Sequence, residues 1–340
     1  MTIPPAPPAP PAPSAAVPRR GSRVPAGLAV VLLAAALSLA AVPARAFEAK
    51  VLDSVVSVLP LWPGQERGGQ PQVPPGTAPE GTATAIRAGG YLVTALHVVA
   101  RATAITVRLP DGRELPATLV GRDPPTDLAV LKVAAELPPL PEAPEPALGA
   151  PVCAVGNQFG LGLSVTCGVV SALHRSGTGF NPIEDFVQTD ASVNPGASGG
   201  PLVDARGRLV GVLLAIFTKD ADADIGINFA ASVALVRRVT DDLIDHGRVV
   251  RARSGLRVAD LELAARARQV GARVLSVVPG GAAEAAGLAA GDVIVRVGTR
   301  QVRKASDVVS ALQLYRPGAR VSVTVVRGGA ESDIEIELPK

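Results

Sequence analysis

Between residues 55 and 229 the apolar residues come in short runs separated by Gly, Pro, Asp or Asn; 55–61, 82–86, 91–94, 104–109, 129–133 and 152–155 are examples. No stretch of that span keeps a 3.6-residue period. Short apolar runs between turn residues predict an all-β barrel or sandwich. Residues 232–246 (SVALVRRVTDDLIDH) change the pattern, with Val233, Val236 and Leu243 at helical spacing and Gly247 placed as a C-terminal cap. A helix therefore closes a first domain spanning 47–248. Residues 249–254 read as a linker, and 255–338 as a second, smaller domain. A Pro/Gly-rich loop occupies 62–80, and no internal repeat is visible.

The N-terminus departs from both patterns. Residues 1–25 are rich in Pro and Ala and carry three Arg, residues 26–42 are an unbroken run of small and apolar side chains, and Ala44-Arg45-Ala46 follows. A basic segment, an apolar segment and an A-x-A site describe a secretory signal. The apolar run is also at the lower limit for a membrane-spanning helix. Residues 1–46 are thus a cleaved signal or an N-terminal anchor held by 26–42. Either one exports residue 47 onward, to the periplasm or another extracytoplasmic space, since the preceding Arg residues keep the N-terminus inside.

Composition refines this picture in three ways. Of the 340 residues 48% are hydrophobic but only 3% aromatic, so Ala, Val, Leu and Ile must fill the cores of about two domains. The net charge of +3 invites a nucleic-acid partner, yet Arg19, Arg20, Arg23 and Arg45 lie in the leader, which holds no acid. Removing those four from 33 basic residues leaves 29 against 30 acids. Without a basic excess on the folded part, nucleic acid is excluded as a partner. Two Cys and three His exclude a disulfide-dense scaffold and a zinc cluster, and no cofactor is implied.

The sharpest local signal is Gly196-Ala197-Ser198-Gly199-Gly200-Pro201. A Ser flanked by Gly exposes its hydroxyl on a tight turn and aims successive backbone N–H groups at one point, where an oxyanion can sit. The same residues satisfy G-x-S-x-G, the elbow of α/β-hydrolases, with Asp224 or Asp242 and then His246 as formal partners. An elbow Ser opens a helix, however, whereas Ser198 is followed by a strand-turn-strand pattern through residue 214. His97 stands at the end of the apolar run 91–96, and Asp127 immediately precedes another, where a buried acid needs a partner. His, Asp, Ser in that order is the chymotrypsin arrangement.

Together the segments YLVTALHVV, DPPTDLAVLKV, AVGNQFGLGLSVTCGVVSAL and VQTDASVNPGASGGPLV resemble the HtrA (Deg) group of chymotrypsin-fold serine proteases, over about residues 47–338. The resemblance implies an all-β chymotrypsin-like double β-barrel followed by a smaller α+β PDZ domain, usually in a homotrimer. It makes Ser198 the nucleophile, His97 the general base and Asp127 its orienting acid, with the N–H groups of Gly196 and Ser198 as oxyanion hole. It places Ser192, Ile227 and Asn228 at the substrate pocket. Ser192 stands where trypsin-type enzymes carry an Asp, so a basic residue before the scissile bond is not expected, and Ile227 suggests small aliphatic ones. Residues 174–185 match the family's sensor loop, with Arg175 as its arginine. In the PDZ domain, Ser254, Gly255, Leu256 and Val258 would take the C-terminus of a peptide as an added strand. Ala197, Asn228, Gln158 and Ser254 depart from the usual family residues.

Cys153 and Cys167 would face each other if the loop at 159–161 joined two strands symmetrically about residue 160. A cross-strand disulfide then becomes possible; a one-residue shift separates them, and two buried free thiols are the favoured alternative. The function that follows is an exported, ATP-independent serine endopeptidase acting on unfolded or mislocalised proteins and controlled by PDZ-bound peptide. A catalytically silent PDZ scaffold or holdase, and an anchored processing protease of narrow specificity, are the rivals.

Overall fold

Eighteen strands build the fold of the computed structural model, which describes residues 47–63, 80–216 and 225–340. The leader expected over 1–46 and most of the loop expected at 62–80 lie outside the described residues. Strands β1 (Val55–Leu61), β2 (Gly81–Arg87), β3 (Tyr91–Ala95), β4 (Ala104–Arg108), β5 (Glu114–Asp123) and β6 (Leu128–Val133) close a barrel in the order β1-β2-β3-β6-β5-β4. A second closed barrel uses β7 (Pro151–Gly156), β8 (Ser164–Arg175), β9 (Phe186–Thr189), β10 (Pro201–Asp204), β11 (Leu209–Ile216) and β12 (Asn228–Ser232). Its order, β7-β8-β9-β12-β11-β10, repeats the winding of the first. The fold thus carries an internal repeat that the sequence does not show. Closure leaves neither sheet an open edge.

The aromatic-poor composition works because these barrels are narrow. Val55, Leu92 and Leu131 of the first and Val212, Phe229 and Phe186 of the second belong to one buried apolar cluster. A one-turn helix, α1 (Leu96–Val99), follows β3, and α2 (Val233–His246) follows β12. Helix α2 starts where the Ser232 hydroxyl accepts the N–H of Leu235 at 3.2 Å, and stops at Gly247, whose φ of 70° only Gly adopts freely. Its Leu235, Val236, Val239 and Leu243 are buried, and the helix packs across β5 and β6. The second barrel is thereby strapped onto the first.

The remaining residues form a separate sheet of β13 (Leu256–Asp260), β14 (Ala272–Val277), β15 (Val293–Val297), β16 (Arg300–Gln301), β17 (Arg320–Arg327) and β18 (Ala330–Glu337). Its main path runs β13-β14-β15-β17-β18, with β16 paired to β15, so β13 is an edge strand. Helices α3 (Leu263–Arg266), α4 (Ala282–Ala285) and α5 (Ala305–Gln313) accompany it. Val274, Ile294, Val323 and Ile336 fill a core of its own.

The cysteines follow the symmetric register, with Cys153 opposite Cys167 across β7 and β8, and they form a disulfide with a Cα–Cα distance of 4.0 Å. The free-thiol alternative is corrected, as is the expected burial: Cys153 is half-buried and Cys167 exposed. The reason is the hairpin itself, which holds its register through the turn with Phe159 at φ 56° and Gly160 at φ 71°.

Candidate active site

Strand β3 ends at Ala95, so His97 lies one residue into α1 rather than on the strand. Asp127 sits in the turn before β6 with φ 58°, a conformation that costs free energy for a non-Gly residue and needs compensation. The compensation is visible around it. The Leu96 N–H donates to the Asp127 carbonyl at 2.7 Å, the His97 N–H to Oδ1 at 2.9 Å, and the His97 ring Nδ1 to Oδ2 at 2.5 Å. A carboxylate can only accept, so Nδ1 carries the proton and Nε2 presents its lone pair outward. His97 is half exposed, while Asp127 keeps only 18% of its side chain in contact with solvent.

Ser198 occupies a loop that only glycine permits. A Cβ on Gly196 would lie 2.2 Å from the Asn157 carbonyl oxygen, and one on Gly199 only 2.0 Å from that of Thr82. The loop is fastened on both sides. Towards the first barrel, the Thr82 N–H donates to the Ser198 carbonyl at 3.0 Å and the Thr82 hydroxyl to the Gly196 carbonyl at 2.6 Å. Towards β11, the Gly199 N–H donates to Leu213 at 2.7 Å. The Phe159 N–H holds the Pro195 carbonyl at 2.7 Å, which in a trans peptide turns the Gly196 N–H the opposite way. Among the described residues, neither the Gly196 nor the Ser198 N–H has an acceptor. These two donors beside one hydroxyl are what a developing oxyanion requires.

His97 and Ser198 line the same cleft, of about 310 Å³, between the barrels. Trp62, Glu80 and Val98 border it from the first barrel, and Val193, Leu213 and Leu214 from the second. Ser192, Ile227 and Asn228, expected at the substrate pocket, are not among the residues that line this cleft. Ser192 is exposed, Ile227 is half-buried against the barrel core, and Asn228 is fully buried with its Nδ2 donating to the Ala191 carbonyl at 2.9 Å. The apolar wall of this cleft comes from Val193, the residue after Ser192, and from Leu213 and Leu214 of β11, a position that the pairing of β11 with the nucleophile hairpin makes natural.

Arg175 is exposed, and its Nε donates to Gln188 at 3.1 Å. It borders a second cleft, between the second barrel and the PDZ domain, together with Arg300, Lys304 and Asp307. Around that cleft lies a cluster the sequence reading missed. Arg300 Nη1 and Nη2 donate to the fully buried Asp185 at 2.6 and 3.2 Å, and Ser232, the cap of α2, donates to the same carboxylate at 2.5 Å. Burial pushes the Asp185 carboxyl up, but His174 and Arg300 outweigh it and hold the group below the ordinary carboxylate range. Ser176 adds a hydrogen bond to Asp307 at 2.6 Å, and the Lys304 ammonium donates to the Ser176 carbonyl. On the PDZ domain Gly255 has φ 76°, its carbonyl accepts Val278 at 2.8 Å, and the Ser254 carbonyl accepts Ala283 at 3.0 Å. Leu256 and Val258 are half-buried on the edge strand β13, beside α5.

Among the described residues no group of three or more His, Cys, Asp or Glu is placed to hold a metal ion. No helix among them is long and apolar enough to cross a membrane.

Two antiparallel barrels with Ser198, His97 and Asp127 at their seam, and a PDZ sheet after them, define a trypsin-like peptidase with a PDZ module. Family comparison agrees, with a trypsin-like peptidase domain matched at residues 81–212 and a PDZ domain at 224–338. The chain belongs to the HtrA-type proteases: it shares 35% identity with the HtrA-type protease AlgW solved with a tripeptide, covering 87% of this chain and 97% of that one at a TM-score of 0.66. A serine endoprotease from Yersinia pestis superposes at a TM-score of 0.54 with 32% identity, over 86% and 97% of the two chains. Among curated relatives, the periplasmic serine endoprotease DegP of Escherichia coli (strain K12) is 38% identical over 73% of this chain and 54% of its own. A probable DegP-like periplasmic endoprotease of Chlamydia trachomatis is 41% identical over 77% and 54%. The chain thus spans about half the length of the curated relatives it matches.

Proposed function

We propose that the protein is an exported, ATP-independent serine endopeptidase that cleaves unfolded or mislocalised proteins in the periplasm. The observation that carries this reading is Asp127, both of whose carboxylate oxygens hold His97 with Nε2 free toward the cleft that contains Ser198. In the reaction, His97 Nε2 takes the proton of the Ser198 hydroxyl as its oxygen attacks the scissile carbonyl. The N–H groups of Gly196 and Ser198 stabilise the oxyanion. His97 then protonates the leaving amine, and water, activated by the same imidazole, hydrolyses the acyl-enzyme. Val193, Leu213 and Leu214 favour a small aliphatic residue before the scissile bond.

The PDZ domain takes the C-terminus of a peptide along β13, with the carboxylate near Ser254 to Leu256. Its contact with the second barrel at Asp185 and Ser176 supports a coupling through Arg175 and the loop around it. The leader exports the chain, as a signal or an anchor, and a homotrimer is the assembly expected of the family.

Hydrolysis of an unfolded protein by the wild type beside Ser198→Ala, with and without peptides bearing apolar C-termini, tests the reading. Loss of the nucleophile should lower the rate on the order of a million-fold, and peptide should raise the wild-type rate. Binding of the unfolded chain with no cleavage under any peptide would instead identify a scaffold.

A further inference from the structure

Glu80 is the residue before β2, half-buried and lining the cleft that holds His97 and Ser198. Among the described residues its one hydrogen bond is from Asn157 Nδ2 to Oε2, at 2.5 Å. Among the described residues no Lys, Arg or His forms an ion pair with it, and no Lys or Arg borders the cleft. Trp62, Val98, Val193, Leu213 and Leu214 make most of the surrounding surface apolar. A carboxylate with one oxygen unpaired among the described residues, close to Gly160, thus borders the mostly apolar cleft that the nucleophile also lines, where a cation from outside gains more than it would at an open surface.

Which half of a substrate meets Glu80 follows from the proton path. His97 must deliver its proton to the leaving amine, so that half departs on the His97 side. Trp62, Glu80, His97 and Val98 all belong to the first barrel, whereas the apolar wall of Val193, Leu213 and Leu214 belongs to the second and faces the acyl half. Resting on the endopeptidase reading above, we propose that Glu80 is a specificity-determining residue that selects Lys or Arg within the first three residues on the amine side of the scissile bond.

The surroundings also dictate the variant. Asn157, besides donating to Glu80, accepts the Gly162 N–H at 2.7 Å, and the turn that follows it supplies the Phe159 N–H that orients Pro195 and Gly196. Truncating Glu80 would loosen that turn. Glu80→Gln keeps an acceptor for Asn157 and removes the charge alone, and Glu80→Lys reverses it.

The experiment uses the full chain and peptides that share one apolar acyl half and carry Lys, Ala or Asp at the first, second or third position of the leaving half. At one of these positions the wild type should favour Lys over Ala by about fivefold in kcat/KM, with Asp disfavoured, and added salt should shrink the ratio. Glu80→Gln should bring the Lys to Ala ratio to about one, and Glu80→Lys should favour Asp, as expected when a charge controls partner choice. A wild type without preference for Lys, or a Glu80→Gln variant that retains it, overturns this inference alone. Absence of cleavage of every peptide by the wild type overturns the endopeptidase reading, and this inference with it.

Discussion

Asp127 holds a backbone conformation that few non-Gly residues adopt, and three hydrogen bonds around His97 stabilise it there. Asp127→Asn should therefore fold yet lose about four orders of magnitude in kcat, because an amide donor facing Nδ1 moves the ring proton to Nε2. Steady-state kinetics with circular dichroism on the same samples checks this, and a variant that keeps its activity would remove Asp127 from the reaction. The order of His97, Asp127 and Ser198 was legible in the sequence because each carries a functional group in an apolar or glycine-rich setting. Glu80 was not, since it closes a Pro/Gly-rich loop whose composition predicts only a connection.

At the scale of elements, a cap was readable where one residue type is physically required, as at Gly247 ending α2, whereas Ser232, read as the first helical residue, is the cap before Val233. Strand β8 was harder, because its twelve residues are mostly half-buried or exposed and its register against β9 shifts twice. The β7–β8 hairpin nevertheless follows simple symmetry as far as Cys153 and Cys167. Alkylation without reduction should leave the mass of the chain unmodified at both positions. Replacing both cysteines with Ser should destabilise the protein by about 3 kcal/mol, the chain-entropy value for a closed loop of this length, which chemical denaturation would measure. Alkylation of both without reductant would show that the disulfide is absent.

For the whole molecule, the contact between barrel and PDZ domain could not be read along the chain, since Asp185 and Arg300 are separated by 115 residues. Neither could the repeated winding of the barrels, because a barrel interior asks only for apolar residues of suitable size at alternate positions. Asp185 makes the inter-domain contact sensitive to acid. Its folded-state carboxyl titrates below the ordinary value, so its stabilising contribution is present above about pH 4 and is lost as pH falls through the folded value. Asp185→Asn should cost roughly 3 kcal/mol at pH 7, the magnitude for breaking a buried pair. The gap to the wild type should narrow below about pH 4 in urea denaturation followed at several pH values. An equal gap at pH 7 and pH 3 would show that the charge of Asp185 is not what holds the contact.

The bonds from Thr82 to Gly196 and Ser198 cross from one barrel to the other. The nucleophile of one half is thus shaped by a strand that belongs to the other half and lies more than a hundred residues earlier in the chain. A polypeptide that has completed only one barrel therefore lacks the bonds that shape the nucleophile's loop, and the site comes into being only when both halves have folded and met.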